Sequence, residues 1–132
     1  MKLRIRGDSV RIRLSQKEVK AISEGKAVRE KTRFLGTESF EYVFMPTKSI
    51  ASITAEYKNN SLVVSCPEVI AFDWANSDQV ALKHDQAIAG EAETKLFILI
   101  EKDFQCLKPR ENEKEDESEL FANPNAHKGH CG

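Results

Sequence analysis

Met1-Lys2-Leu3-Arg4-Ile5-Arg6-Gly7-Asp8-Ser9-Val10-Arg11-Ile12-Arg13-Leu14 opens the chain and decides how the rest is read. Side chains along a strand alternate between two faces, so Leu3 and Ile5, then Val10, Ile12 and Leu14, share one face, while Lys2, Arg4, Arg6, Arg11 and Arg13 share the other. Between the two runs, Arg6-Gly7-Asp8-Ser9 makes a turn, because Gly accepts positive φ and Asp hydrogen-bonds its own backbone. Arg-Gly-Asp also matches a cell-adhesion tripeptide, but three residues recur by chance and no secretion signal accompanies them. The stretch predicts a β-hairpin that builds a core with one face and a cationic surface with the other.

Outward from the hairpin, Ser15 and Glu18 form a capping box, Leu14 and Val19 are spaced as a hydrophobic staple, and Gly25 suits a left-handed C-cap. These signals predict a short helix over 16–24. A strand over 27–34 repeats the opening pattern, with Val28, Thr32 and Phe34 on one face and Arg29, Lys31 and Arg33 on the other. Further strands are expected over 40–45, 50–57 and 62–66, the last two joined through Lys58-Asn59-Asn60-Ser61. Pro67 suits a helix start, Val69, Ile70, Phe72 and Trp74 give that helix an apolar flank, and Trp74 reads as a core anchor. Residues 79–82 predict a short strand and 83–94 a polar connection. Leu96-Phe97-Ile98-Leu99-Ile100 is apolar on both faces, which predicts a central strand buried on both sides within 95–102, with a buried helix segment as the alternative that periodicity leaves open. No internal repeat shows at solenoid periods.

With 132 residues the chain has the size of one domain and needs neither disulfides nor metal to bury a core. Its three cysteines, Cys66, Cys106 and Cys131, are an odd count at irregular spacing, which fits reduced thiols. The opening lacks the apolar core of a signal peptide and no run is long enough for a membrane span, so a cytoplasmic protein is expected. After Leu107 the composition turns acidic and poor in apolar residues. The expected organisation is therefore an α+β domain over 1–108, mainly an antiparallel sheet of six to eight strands with two short helices, and an acidic, mobile tail over 109–132.

Net charge is −1, yet the charges are unevenly placed. Residues 1–58 hold 13 Lys plus Arg against 7 Asp plus Glu, and residues 59–132 hold 7 against 14. Such a division points to a polyanionic partner for the basic part or to docking of the acidic part upon it. If the three basic strands share one sheet, Lys2, Arg4, Arg6, Arg11, Arg13, Arg29, Lys31 and Arg33 form one anion-binding face. An ordinary solvated face would mix signs, since like charges placed opposite each other destabilise a sheet by up to about 1 kcal/mol per pair. The matching acids of the tail are Glu111, Glu113, Glu115, Asp116, Glu117 and Glu119.

Three anions are candidates. Nucleic acid is disfavoured, because Phe34, Phe40, Tyr42 and Phe44 fall on the core-facing register and so supply no stacking platform beside the cations. A phosphate ester or polyphosphate in a cation-lined cavity would need a divalent metal, with Glu41, Glu56, Glu101 and Asp103 as available carboxylates. The third candidate is the protein's own tail, whose tethering replaces strong affinity. Cys106, His127, His130 and Cys131 carry zinc-type ligand atoms, but only His127 to Cys131 cluster and no paired Cys spacing accompanies them. No nucleophile triad or phosphate-binding glycine loop occurs. The residues imply no cofactor, and a binding or regulatory role is expected over an enzymatic one.

Several stretches together resemble an uncharacterised family of short bacterial proteins, a domain of unknown function. The resemblance rests on Met1 to Gly7, Ser15-Gln16-Lys17-Glu18-Val19, Trp74 with Ser77-Asp78-Gln79-Val80, Leu99 to Leu107, Pro109-Arg110, and Glu115-Asp116-Glu117-Ser118 with Phe121 and Asn123-Pro124. It runs in order over nearly the whole chain. It implies no activity or catalytic residue, but it does imply that 101–110 and the tail over 115–124 belong to the design of the domain.

Overall fold

The inward residues of the opening hairpin and of the run over 96–100 meet in one sheet. A computed structural model describes residues 1–104. In chain order its elements are β1 (Lys2–Ile5), β2 (Ser9–Leu14), α1 (Gln16–Ser23), β3 (Val28–Arg33), β4 (Ser39–Thr47), β5 (Thr54–Lys58), β6 (Ser61–Pro67), α2 (Glu68–Ala75), β7 (Ala81–Ala87) and β8 (Lys95–Lys102). The eight strands form two four-stranded sheets, ordered β1-β2-β8-β7 and β3-β4-β6-β5. In each sheet the two inner strands run parallel and each outer strand is antiparallel to its neighbour. The expected single, largely antiparallel sheet is thus corrected to two mixed sheets. Local patterning showed where strands lie, but the β2–β8 and β4–β6 pairings are long-range and leave no local mark.

The order of elements repeats. Strand, strand, helix, strand, strand describes β1 to β4 with α1 and again β5 to β8 with α2. Laying β1 to β4 upon β5 to β8 in order converts one sheet into the other, with every parallel and antiparallel relation kept. Each half gives its first hairpin to one sheet and its second to the other, so the halves interlock. The two helices have eight residues each. The hairpin turns also correspond: Gly7 lies at φ 51°, and Asn59 and Asn60 at 53° and 61°, the left-handed values that tight hairpins require. No residue repeat was legible because the halves share topology and almost no side chains.

Both sheets turn their inner faces to one core, in which Ile12, Leu14, Ile98 and Ile100 meet Phe44, Val64 and Cys66. The helices close one end of it. Ser15 caps α1 by accepting from the Glu18 backbone N–H while the Glu18 carboxylate accepts from the Ser15 N–H, and Val19 and Ile22 turn inward against α2. Trp74 of α2 is fully buried, meets Phe44 edge-on at 6.2 Å and donates its indole N–H to the Val80 carbonyl. Its neighbours Val69 and Ile70 face outward instead of forming the expected flank. Burial pushes the Cys66 thiol up to about 12, so this cysteine is an inert core residue.

Residues 83–94, expected as a connection, contain most of β7. Its inward positions Leu82, His84 and Gln86 are mostly polar, which hid the strand from a search for apolar alternation. Gln86 closes a seam between the sheets by accepting from the Ala55 N–H at 2.7 Å and donating to the Ala55 carbonyl at 2.9 Å. Strand β8 lies inside its sheet as expected but is buried on one face only, since Phe97 on the outer face is 37% exposed. The expected mobile tail lies outside the described residues.

Candidate anion-binding site

The eight expected cations do not share a face. Strand β3 lies at the edge of the other sheet, where Arg29 pairs with Glu41 at 2.9 Å and Lys31 and Arg33 are exposed. The five cations of the opening hairpin do stay together. Strands β1 and β2 pair Lys2 with Arg13 and Arg4 with Arg11, so like charges sit directly opposite each other. That arrangement costs tenths of a kcal/mol to about 1 per pair unless something offsets it.

Strand β8 supplies the offset. It runs parallel to β2 with Glu101 beside Arg13 and Leu99 beside Arg11. One oxygen of Glu101 accepts from Arg11 Nε at 2.6 Å and from Arg13 Nε at 2.8 Å. Burial alone would raise the Glu101 carboxyl, but hydrogen bonds from both arginines and their charges outweigh it and hold the group below the usual 4.5. Just beyond β8, Asp103 meets the Lys2 ammonium at 3.0 Å. On β7 the outward Lys83 and Asp85 balance in charge.

Arg13 is the one charged residue that is buried among the described residues, at 7% exposure. Held through Nε by the Glu101 carboxylate, that guanidinium has a fixed plane. Around it the surface is concave. A hollow of about 330 Å³ is lined by Lys2, Leu3, Arg4, Arg11 and Arg13. A second of about 220 Å³ shares Arg4 and Arg11 with the first and adds Arg6, Phe97 and Leu99. A larger groove of about 840 Å³ lies elsewhere, between α1 and the end of β8. Its Lys102 is committed to the Ser77 carbonyl at 2.6 Å and to the Trp74 ring, and the groove gathers no comparable cluster of arginines.

As site residues, the sequence marked Glu101 only as a possible metal ligand, and it read Phe97 and Leu99 as part of a central buried strand. Glu101 is far from Arg11 and Arg13 along the chain, so only the β2–β8 pairing shows its role. One signal was visible: Glu101 is a lone acid directly after a strongly apolar run. The carboxylates expected around a metal are not brought together, because Glu41 and Glu56 belong to the other sheet. Among the described residues no three His, Cys, Asp or Glu side chains gather at metal-binding spacing. Cys106, His127, His130 and Cys131 lie outside the described residues, as do the six tail acids. No described helix is long and apolar enough to cross a membrane.

A family described as "Family of unknown function (DUF7009)" matches residues 1–125. The chain belongs to that family. The DUF7009 match covers both interlocked halves and runs past β8 through the acidic residues 111–119. No curated protein and no solved structure matches the chain.

Proposed function

We propose that this DUF7009 member is a small cytoplasmic binding or regulatory protein whose outer β1-β2-β8 face takes an anionic polypeptide segment. The observation that carries the reading is the Arg11–Glu101–Arg13 cluster at the centre of five hairpin cations. The fold does not demand those cations. In the other half the positions of Arg11, Arg13 and Glu101 correspond to Val63, Ser65 and Met45, as the matched pairs Ile12–Ile100 and Val64–Phe44 define them. An open face with arginines beside Phe97 and Leu99 suits an extended chain carrying acids and an occasional apolar side chain.

The other reading, a metal-dependent phosphate-ester or polyphosphate hydrolase, requires the cations to line a cavity together with carboxylates. Here the cations lie on the outward register, and Glu101, Asp103 and Glu41 each hold a basic side chain. Nucleic acid is also less suited, since Phe97 is the one aromatic in the arginine-lined hollows, while Phe40 and Tyr42 stay on the inward register with Phe44 and add no row of stacking platforms.

Retention on immobilised heparin, a polyanion probe, tests the reading. The wild-type chain is expected to elute at higher salt than Arg4→Gln/Arg11→Gln, and equal elution of the two would contradict the assignment.

A further inference from the structure

We infer that an acidic partner docks along the outer edge of β1, adding to the β1-β2-β8-β7 sheet as a further strand whose residues alternate between acidic and apolar. The inference rests on the anion-binding reading above and adds to it a mode of docking and a sequence pattern for the partner.

The two interlocked halves differ at this edge. In the first hairpin the Arg6 N–H donates to the Ser9 carbonyl at 3.1 Å. Pairs along an antiparallel ladder alternate between hydrogen-bonded and not, so Arg4 and Lys2 direct their backbone groups to β2, while the N–H and C=O of Leu3 and Ile5 point away from it. Among the described residues no strand pairs with that outer side, because the sheet order ends at β1. In the other half Ala55 holds the place of Leu3, since Ala55 pairs with Val64 and Leu3 with Ile12. There Gln86 closes the edge by engaging both backbone groups of Ala55. Strands β7 and β3 match through Leu82 and Val28, the partners of Ile100 and Phe44, so Thr32 holds the place of Gln86. Thr32 is exposed, and its short hydroxyl side chain offers no amide to span an N–H and a C=O. One half therefore seals an edge that the other leaves open.

The open edge selects by charge. Lys2 and Arg4 lie on its outward register and line the hollow they share with Arg11 and Arg13. On the opposite register Ile5 is 56% exposed, next to half-buried Leu3. An added strand lays every second side chain along Lys2 and Arg4 and the intervening ones along Leu3 and Ile5. Acids suit the first set and apolar residues the second. Backbone hydrogen bonds to Leu3 and Ile5 supply affinity, and the alternation supplies selectivity. A second copy of β1 is a poor occupant, because it would set lysine and arginine against Lys2 and Arg4. The cations that deter pairing between copies are the ones that attract an acidic strand.

The test uses the full chain, anisotropy at low salt and two fluorescent peptides of one composition, Glu-Val-Glu-Val-Glu-Val-Glu and Glu-Glu-Glu-Glu-Val-Val-Val. The alternating peptide is expected to bind about tenfold more tightly, as a net gain of one or two hydrogen bonds would give. Methylating its backbone nitrogens is expected to abolish the preference, since the charges stay and the donors go. Ile5→Pro removes an N–H that faces away from β2. With its fold confirmed by circular dichroism, it is expected to bind the two peptides equally and to leave heparin elution unchanged. Equal binding of the two peptides by wild type would overturn the inference and leave the face as an anion site. A preference that survives N-methylation would overturn it whether or not Ile5→Pro folds, because side chains alone would account for it. A preference kept by folded Ile5→Pro would also overturn it, by placing the added strand elsewhere. Absence of binding by both peptides would overturn the inference, and the heparin comparison of wild type with R4Q/R11Q decides separately whether the anion-binding reading falls with it.

Discussion

The outer faces of the two sheets hold equivalent places in the interlocked halves and differ completely in chemistry. Where β1 and β2 present Lys2, Arg4, Arg11 and Arg13, their counterparts on β5 and β6 are Thr54, Glu56, Val63 and Ser65. Where β8 places Leu99 and Glu101 on the outward register, β4 places Val43, which is buried, and Met45. The same architecture is therefore built once with opposed like charges and once without them. A feature that costs stability in one copy and is absent from the other is not explained by folding, so the cationic face is better read as serving recognition.

The sharpest way to break the comparison on the stability side is Glu101→Gln. Arg11 and Arg13, at 14% and 8% side-chain exposure, then lose their shared carboxylate. Urea unfolding is expected to show a loss of about 3 kcal/mol, because two largely buried guanidiniums lose a charged hydrogen-bond acceptor. The triple variant R11V/R13S/E101M, which copies the other sheet, is expected to stay within about 1 kcal/mol of wild type, since the whole cluster leaves together. A triple variant as unstable as Glu101→Gln would show that the fold itself needs the charges.

Gln86→Ala addresses the seam and leaves the face alone. It removes both hydrogen bonds to Ala55 and is expected to lower stability by about 1–2 kcal/mol with heparin retention unchanged. A change in retention would mean that seam and face are coupled.

Acid unfolding gives a smaller and more diagnostic effect. Burial opposes ionisation of Glu101, but the two arginines win and its folded carboxyl sits below the unfolded value of 4.5. A carboxylate lowered in the folded state contributes stability above that value and loses it as pH falls through the folded one. Wild type should therefore lose stability below about pH 4.5, and R11V/R13S/E101M should lose less of it over the same interval. Glu18 behaves in the same sense in both chains: burial would raise it, but hydrogen bonds from the Met1 ammonium and Ser15 outweigh this. The comparison thus isolates the Glu101 share, and superimposable acid limbs would argue that its arginine contacts are weak in solution. Smallest of all is Lys2→Ala, whose ammonium is 66% exposed, with an expected change under about 0.5 kcal/mol.

Much of this fold was legible residue by residue. The opening alternation fixed β1 and β2, the Ser15–Glu18 capping box fixed the start of α1, and Trp74 declared itself as an anchor, because each signal is contained within a few neighbours. Strand β7 was not legible because Gln86 spends an inward position on a polar seam. The interlocking of the halves was hidden for a different reason. Parallel pairing of β2 with β8 depends on where two distant strands are delivered by the helices and hairpins between them, and no short stretch encodes it. The candidate site divides along the same line: its five hairpin cations could be named from their alternation, whereas the removal of Arg29, Lys31 and Arg33 to the other sheet and the arrival of Glu101 could not.

The most direct test of the central claim is the affinity of the R11V/R13S/E101M chain for fluorescent oligoglutamate, measured against its parent with the six acids of 111–119 neutralised in both. The face predicts at least about a tenfold loss, reading one charge-assisted contact as worth 1.5 kcal/mol or more, in a chain that still unfolds cooperatively near the parent's midpoint. Equal affinity in the two chains would contradict it and would return Arg11 and Arg13 to the role of a surface that simply faces water.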